Sequence, residues 1–356
     1  MRKNLFVDIH VLQTLPPNNI NRDDSGSPKT CEFGGVTRQR VSSQAWKKAV
    51  RDDFKENLPK EEIGIRTKKV IVKISEEIQK LKPELTKETA DTMATEAFKN
   101  LGFEKIKSVE DGADTLLLVS PAQIKAVAEL AAEGSKDKKA YKAAFTSHPS
   151  IDLLLFGRMV AADQTLNVDA SCQVSHALST HATTTEFDYF TAVDDEKVAE
   201  ADTGAGHIGV TEFTSSTMYR YATINVMQLY KKCGVEAPEF VKQFILSFIR
   251  SMPTGKENSF ANRTAPYAIY VTVREDQPAN FVGAFEKAVK PSENGYEKES
   301  ALRLVSTAEN LYEYFIEKPV FARAVGNDFK DLAEVTSIKK MADDVEEELK
   351  TLLGEE

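Results

Sequence analysis

Residues 5–15 (LFVDIHVLQTL) alternate, with Leu5, Val7, Ile9 and Val11 on one parity and Phe6, Asp8, His10 and Leu12 on the other, which predicts a half-buried first strand. Pro16 and Pro17 are expected to stop it, and a polar, turn-rich loop follows over 21–28. At Ser42 or Ser43 the period changes to that of a helix. A serine cap is followed by Gln44, Lys47, Lys48 and Arg51 at i, i+3, i+4 and i+7, with Ala45, Trp46, Ala49 and Val50 on the other side. Residues from about 60 to 150 are Lys/Glu-rich and helical in period, with helices opening near Val70 and, behind a Ser-Pro start, near Pro121. They read as an inserted helical subdomain. Strict alternation over 168–176 predicts a strand, whereas 185–212 is acidic, loop-like and too long for an ordinary connector. Strands at 219–226 and 268–275, helices at 239–251, 281–290 and 301–318, and a short acidic helix at the end of the chain complete the pattern. The order fits an α+β fold, a ferredoxin-like or RNA-recognition-type core carrying two large insertions.

With 356 residues, 41% hydrophobic and 28% charged, the chain has the composition of an ordinary folded protein, which excludes collagen-like, low-complexity and wholly disordered classes. No apolar run approaches the roughly 18–20 residues of a bilayer span, so no membrane partner is expected. The first apolar run meets Asp8 and offers no small-residue cleavage site, and Cys31, Cys172 and Cys233 imply no disulfide framework. A reducing cytoplasm is the expected location. The net charge of −9, from 46 basic and 55 acidic side chains, argues against a surface coated with nucleic-acid-binding residues. Its distribution matters more than its sum: residues 36–51 carry Arg38, Arg40, Lys47, Lys48 and Arg51 with no acid among them.

The amides and hydroxyls that open the basic helix suit a phosphate, and its Lys and Arg extend that site along a nucleic-acid backbone; a merely solvated basic face fits the same pattern. In residues 252–264, Gly255-Lys256 suggests a phosphate-binding loop, yet Glu257 stands where Ser or Thr must hold magnesium. What remains is a polar loop able to meet phosphates or 2′-hydroxyls, or an ordinary connector. Cys172, His176 and His181 lack a fourth partner at metal-binding spacing, so no metal is expected. His10 reads as structural, since no GxSxG nucleophile pattern accompanies it. Asp23-Asp24 and Asp194-Asp195 lie in loops and receive no acid–base role. Tyr189, Phe190, Val193, Ile208, Val210 and Phe213 in the acidic segment can wedge against bases, meet a neighbouring subunit or form a surface flap.

The motifs NRDD (21–24), FGG (33–35), RVSSQAWKKAVR (40–51), LFGRM (155–159), QVSHA (173–177), DYFTAVDD (188–195), YRYATIN (219–225) and PTGK (253–256) together resemble the backbone subunit of the type I-E CRISPR surveillance complex, Cascade, the CasC family. The resemblance spans essentially the whole chain. It implies a hand-like fold with an RNA-recognition/ferredoxin-like palm (1–58, 166–184, 219–356), a helical finger insertion (59–165) and a thumb β-hairpin (185–218). It further implies a non-catalytic, cofactor-free protein of antiviral defence that polymerises along guide RNA (crRNA) into a helical filament. Its partners would be that RNA, neighbouring copies, other Cascade subunits and target DNA paired to the guide. The implied RNA contacts are Arg22, Arg38, Arg40, Ser42, Ser43, Gln44, Lys47, Lys48, Arg51, Lys256, Asn258 and Ser259, with Val193, Ile208, Val210 and Phe213 as the thumb residues at the base gap. The competing reading is a metal-dependent RNA-cleaving backbone subunit, for which Asp23 and Asp24 are the available acids. A general RNA-recognition module acting alone is the other, against which stands the missing aromatic pattern of such sheets.

Overall fold

The computed structural model describes residues 4–104, 106, 108–110, 112, 114–192 and 207–354. Along the chain run β1 (Phe6–Asn18), β2 (Thr30–Phe33), β3 (Val36–Val41), α1 (Ser43–Asn57), β4 (Ile65–Thr67), α2 (Val70–Leu81), α3 (Lys87–Asn100), β5 (Leu117–Val119), α4 (Pro121–Ala132), α5 (Lys138–Thr146) and α6 (Ile151–Phe156). They continue with β6 (Cys172–Val174), β7 (Ala177–Ser179), β8 (Glu186–Ala192), β9 (His207–Asn225), α7 (Val226–Cys233), α8 (Ala237–Arg250), α9 (Glu257–Phe260), β10 (Ala268–Arg274), α10 (Glu297–Tyr314), β11 (Phe321–Val325) and α11 (Ile338–Leu353). Two compact units result, 1–50 with 174–227 and 241–356, and 51–173 with 228–240.

The first unit is built on a sheet in the order β11-β10-β1-β9-β7-β3-β2. Its elements β1, α1, β7, β9, α8 and β10 form a βαββαβ path in which β1 lies between β9 and β10, antiparallel to both. This is the α+β, ferredoxin-like fold that the sequence implies. Two features of β1 differ from the sequence pattern. It runs on through Pro16 and Pro17, because the register shifts between Leu15 and Asn18 and frees the prolines from the ladder. Nor is it half-buried. Val7, Ile9 and Val11 are sealed on one face, while Asp8, His10 and Leu12 are equally sealed on the other. There Tyr219, Tyr221 and Tyr270 pack under Phe281, Phe285 and the α10 residues Ala301, Leu304 and Ala308. The helix expected over 281–290 is a single tight turn, Phe281–Phe285. The strand expected over 168–176 is only β6, since Val168 instead bridges Arg158.

The covered face holds a polar cluster. The Tyr219 hydroxyl accepts from the Phe281 N–H at 3.1 Å and lies 2.8 Å from His10 Nδ1. Asp8 accepts from the Tyr221 hydroxyl at 2.9 Å and from the Ala279 N–H at 2.8 Å. Burial pushes Asp8 up to about 6 and His10 down to about 3. Asp8 binds its proton more readily folded than unfolded, so its contribution is complete below the ordinary carboxylate range and is lost as pH rises through about 6. His10 resists protonation when folded, so its contribution is complete above the ordinary histidine range and is lost as pH falls toward 3. Between about pH 4 and 6 the two slopes oppose each other. Asp8→Asn is therefore expected to steepen the loss of stability on acidification across that window, by up to about 1.4 kcal/mol per pH unit. Urea titrations at several pH values check this; an unchanged slope would refute it.

The second unit packs α2, α3, α4 and α5 around Ile71, Ile74, Phe98, Val127 and Phe145, with β4 and β5 pairing beside them. The helices expected near Val70 and Pro121 are present, the latter closed by a reciprocal Ser120–Gln123 capping box. This unit begins at Arg51 and takes in 228–240, a wider span than the expected insertion at 59–165. No helix among the described residues is long and apolar enough to cross a membrane.

Candidate nucleic-acid interface

Ser42 caps α1, its Oγ accepting the Ala45 N–H at 3.3 Å, while its own N–H donates to Asn21 Oδ1 at 2.8 Å. The 19–28 loop is thereby fastened to the start of the basic helix. Asp23 organises that loop by accepting from the Ser25 N–H, the Ser25 hydroxyl and the Ser27 N–H at 2.7–3.0 Å. The Ser25 hydroxyl bond holds its carboxyl below the usual range. Asn19 Nδ2 ties the loop further, donating to the carbonyls of Gly26 and Glu212, each at 2.9 Å.

A third segment, 253–263, lies against the same loop. A Cβ on Gly255 would sit 2.5 Å from the Ile20 carbonyl oxygen and 2.8 Å from that of Asn19, so only glycine permits this approach. The next residue, Lys256, has a left-handed backbone (φ 53°) and opens the single turn α9, on which Asn258 and Ser259 are exposed. The Phe260 ring, at the end of α9, lies 5.8 Å from Phe213. Within the first unit, the start of α1, the 19–28 loop and the 253–263 loop thus converge. Together they bring exposed Arg22, Gln44 and Lys48 and half-exposed Ser43, Lys47 and Lys256 to one region. The N–H groups of Ser43 and Gln44 belong to the first turn, where no intrahelical acceptor exists, and suit an anionic oxygen.

Other expected contacts are placed differently. Arg38 is fully buried, and its guanidinium donates to the carbonyls of Phe33, Ser179, Phe285 and Glu286 at 2.8–3.3 Å. Arg51, in the second unit, pairs with the buried Asp152 at 2.7 Å and donates to the Gly64 carbonyl at 3.1 Å. Arg40 stays at the surface of β3, where its Nη1 meets His176 Nδ1 at 3.0 Å. Burial, and after it the charges of Arg40 and Lys29, push His176 below the usual histidine range. Lys29 therefore joins this cationic edge, a residue that sequence spacing leaves out because it lies on no periodic face.

A β-hairpin does occupy the acidic interruption, pairing β8 with the outer part of β9 from Glu186↔Phe213 to Ala192↔His207. Val193 lies outside the described residues, and Ile208 pairs with Thr191 in the ladder. Val210 is 59% exposed opposite Tyr189, at 63%, with Phe187 at 68% on the same face. Phe213, by contrast, is half-buried at the hairpin base against Phe260. One more residue stands out, in the second unit: Met159 is 83% exposed, directly after Arg158, which is buried and bonded to the carbonyls of Leu118, Phe145 and Leu166. A rigid strap that ends in an exposed thioether suits a stacking contact. Among the described residues no group of three or more His, Cys, Asp or Glu is placed to hold a metal ion.

The chain matches the family model of CT1975-like proteins over residues 7–353. Among solved structures it is similar to a chain of a "CRISPR RNA-guided surveillance complex, pre-nicking", with 33% identity, 96% of this chain and 99% of that chain covered, and a TM-score of 0.83. It is also similar to a chain of a "CRISPR RNA-guided surveillance complex", with 28% identity, the same coverage of 96% and 99%, and a TM-score of 0.75. No curated protein matches it.

Proposed function

The chain belongs to the family of CT1975-like proteins, and from that premise we propose that it is a non-catalytic backbone subunit of a type I-E Cascade complex in the cytoplasm. It binds guide RNA, polymerises along it beside other Cascade subunits, and presents the bases for pairing with target DNA. The observation that carries this reading is the convergence of the capped α1 terminus, the 19–28 loop and the 253–263 loop, pressed together at Gly255. Amides, hydroxyls and cations gathered there match a phosphate-sugar backbone, and leave sequence recognition to base pairing. Arg22, Arg40, Ser43, Gln44, Lys47, Lys48, Lys256, Asn258 and Ser259 are the proposed contacts, joined by Lys29. Ser42 acts as the cap, and Arg38 and Arg51 act through the backbone and the carboxylate they hold. Met159 and the exposed hairpin residues Phe187, Tyr189 and Val210 are proposed to meet bases or a neighbouring copy.

A self-sufficient RNA-recognition module fits poorly, because the sheet face such a module offers to bases is sealed here under α10 and the 281–285 turn. RNA-cutting chemistry at Asp23 is likewise disfavoured, since that carboxylate is engaged by Ser25 and Ser27 within its own loop. Size-exclusion chromatography with and without guide-length RNA tests the proposal. Assembly is expected to grow with RNA length; a protein that elutes unchanged refutes it. In the same preparations, bound RNA is expected to stay intact with magnesium or manganese, in the parent and in Asp23→Asn/Asp24→Asn alike. Divalent-dependent cleavage that disappears in the double variant would reassign the protein as a nuclease.

A further inference from the structure

Arg220, in the YRYATIN segment of β9, is 1% exposed and sandwiched between aromatic rings, its guanidinium carbon 3.8 Å from the Trp46 centroid and 4.6 Å from that of Phe248. Its Nη1 donates to Gln13 Oε1 at 2.6 Å and its Nη2 to the Phe248 carbonyl. No carboxylate among the described residues pairs with it, and burial pushes its pKa down to about 9. An unpaired buried cation is expensive, and an apolar side chain of the same volume would fill the space at lower cost.

What Arg220 touches shows what it can do. Trp46 belongs to the basic helix α1. Gln13, on β1, reaches both ends of the 253–263 loop: its Nε2 donates to the Thr264 carbonyl at 2.7 Å and lies 3.2 Å from Met252 Sδ. Thr264 in turn donates through Oγ1 to the Thr14 carbonyl at 2.8 Å. A guanidinium can only donate, so it fixes the Gln13 amide with Oε1 inward and Nε2 toward the loop. One side chain therefore joins the helix and the loop that supply most of the proposed phosphate contacts.

We infer that Arg220 is a positioning residue of the RNA interface: stacked on Trp46 and bonded to Gln13, it holds the 253–263 loop in register with α1, so that Lys256, Asn258 and Ser259 meet the same strand as Lys47 and Lys48. This rests on the proposed RNA-binding reading and adds a residue that never touches RNA. The decisive variant is Gln13→Glu in the full chain. It keeps an acceptor for Arg220 and gives it the missing carboxylate, but turns an oxygen toward the Thr264 carbonyl and releases the loop. The expected result is an unchanged or raised melting temperature with about tenfold weaker binding of labelled single-stranded RNA. The salt slope should fall by roughly 0.7 for each phosphate that the released loop ceases to neutralise, and amide exchange over 253–263 should accelerate in the RNA-free protein. Arg220→Met, close in volume and apolar, is measured beside it because it removes the positioning residue itself, with the same weakening and acceleration expected. A folded variant with parental affinity and parental loop protection overturns the inference. Accelerated loop exchange in a chain whose parent binds no RNA would uphold the positioning role while the RNA-binding reading itself fails.

Discussion

Lys47→Ala combined with Lys48→Ala is expected to weaken RNA binding about 10- to 100-fold near 0.1 M salt, and to lower the salt slope by roughly 1.4, or 0.7 for each single-strand phosphate left without its lysine. The weakening should be uniform across RNA sequences, because contacts to phosphate position a strand without reading it. Folding should survive, since the core side of α1 is Trp46, Ala49, Val50 and Phe54, all buried and untouched by the change. Arg51→Ala makes the contrasting control. Removing it leaves the fully buried Asp152 carboxylate without its cation, held only by the Ser150 hydroxyl and the Gly64 N–H, at a cost of about 3 kcal/mol in stability. Filter-binding titrations from low to high salt, beside thermal melts, separate the two outcomes. Parental affinity and slope in the double lysine variant would make α1 a solvated face and remove the centre of the proposed interface.

Four of the polar positions of α1 show how far spacing alone can be read. The helical period correctly places Gln44, Lys47, Lys48 and Arg51 apart from Trp46 and Val50, because both sets follow from 3.6 residues per turn. It cannot show that Arg51 spends its charge on Asp152, a partner 101 positions away that only the tertiary fold brings near. The same holds for Arg38. Composition makes it a cation in a basic stretch, whereas β3 turns it inward to four carbonyls whose positions no local pattern encodes. Alternation in β1 was legible as a strand but not as a central one, since the polar parity carries Asp8 and His10, whose burial depends on distant partners: the Tyr221 hydroxyl and the Ala279 N–H for Asp8, and Tyr219 for one ring nitrogen of His10. The convergence at Gly255 was the least legible part. A glycine followed by a lysine is common, and its meaning lies in the Asn19 and Ile20 carbonyls against which it rests.

Removing the outer hairpin is expected to leave folding intact and abolish ordered assembly on RNA. Phe187 and Glu212 are cross-strand partners, so deleting residues 188–211 and closing with Asn-Gly gives a two-residue hairpin turn that the strands accept. The Glu212 carbonyl that Asn19 holds is retained, and burial in β9 begins just beyond it, at Thr214. Among its described residues the deleted segment carries Tyr189 and Val210, which are 63% and 59% exposed, and Phe190, exposed by 41%, and the melting temperature is expected to shift by only a few degrees. Exposed aromatics on a two-stranded ribbon are poorly explained by the fold of one chain, because such a ribbon is marginally stable by itself and gains from a surface that covers it. If a neighbouring copy or its bound RNA covers Tyr189 and Val210, which share one face, at roughly 1.5 kcal/mol each, each junction is weakened by about 3 kcal/mol on deletion, or somewhat more than a hundredfold in its equilibrium constant. Native mass spectrometry of the truncated chain should then show bound RNA without the length-dependent series of the parent. A normal series would make the hairpin a dispensable surface feature. Collapse of the melting transition would mean that the sheet draws on these strands for its stability.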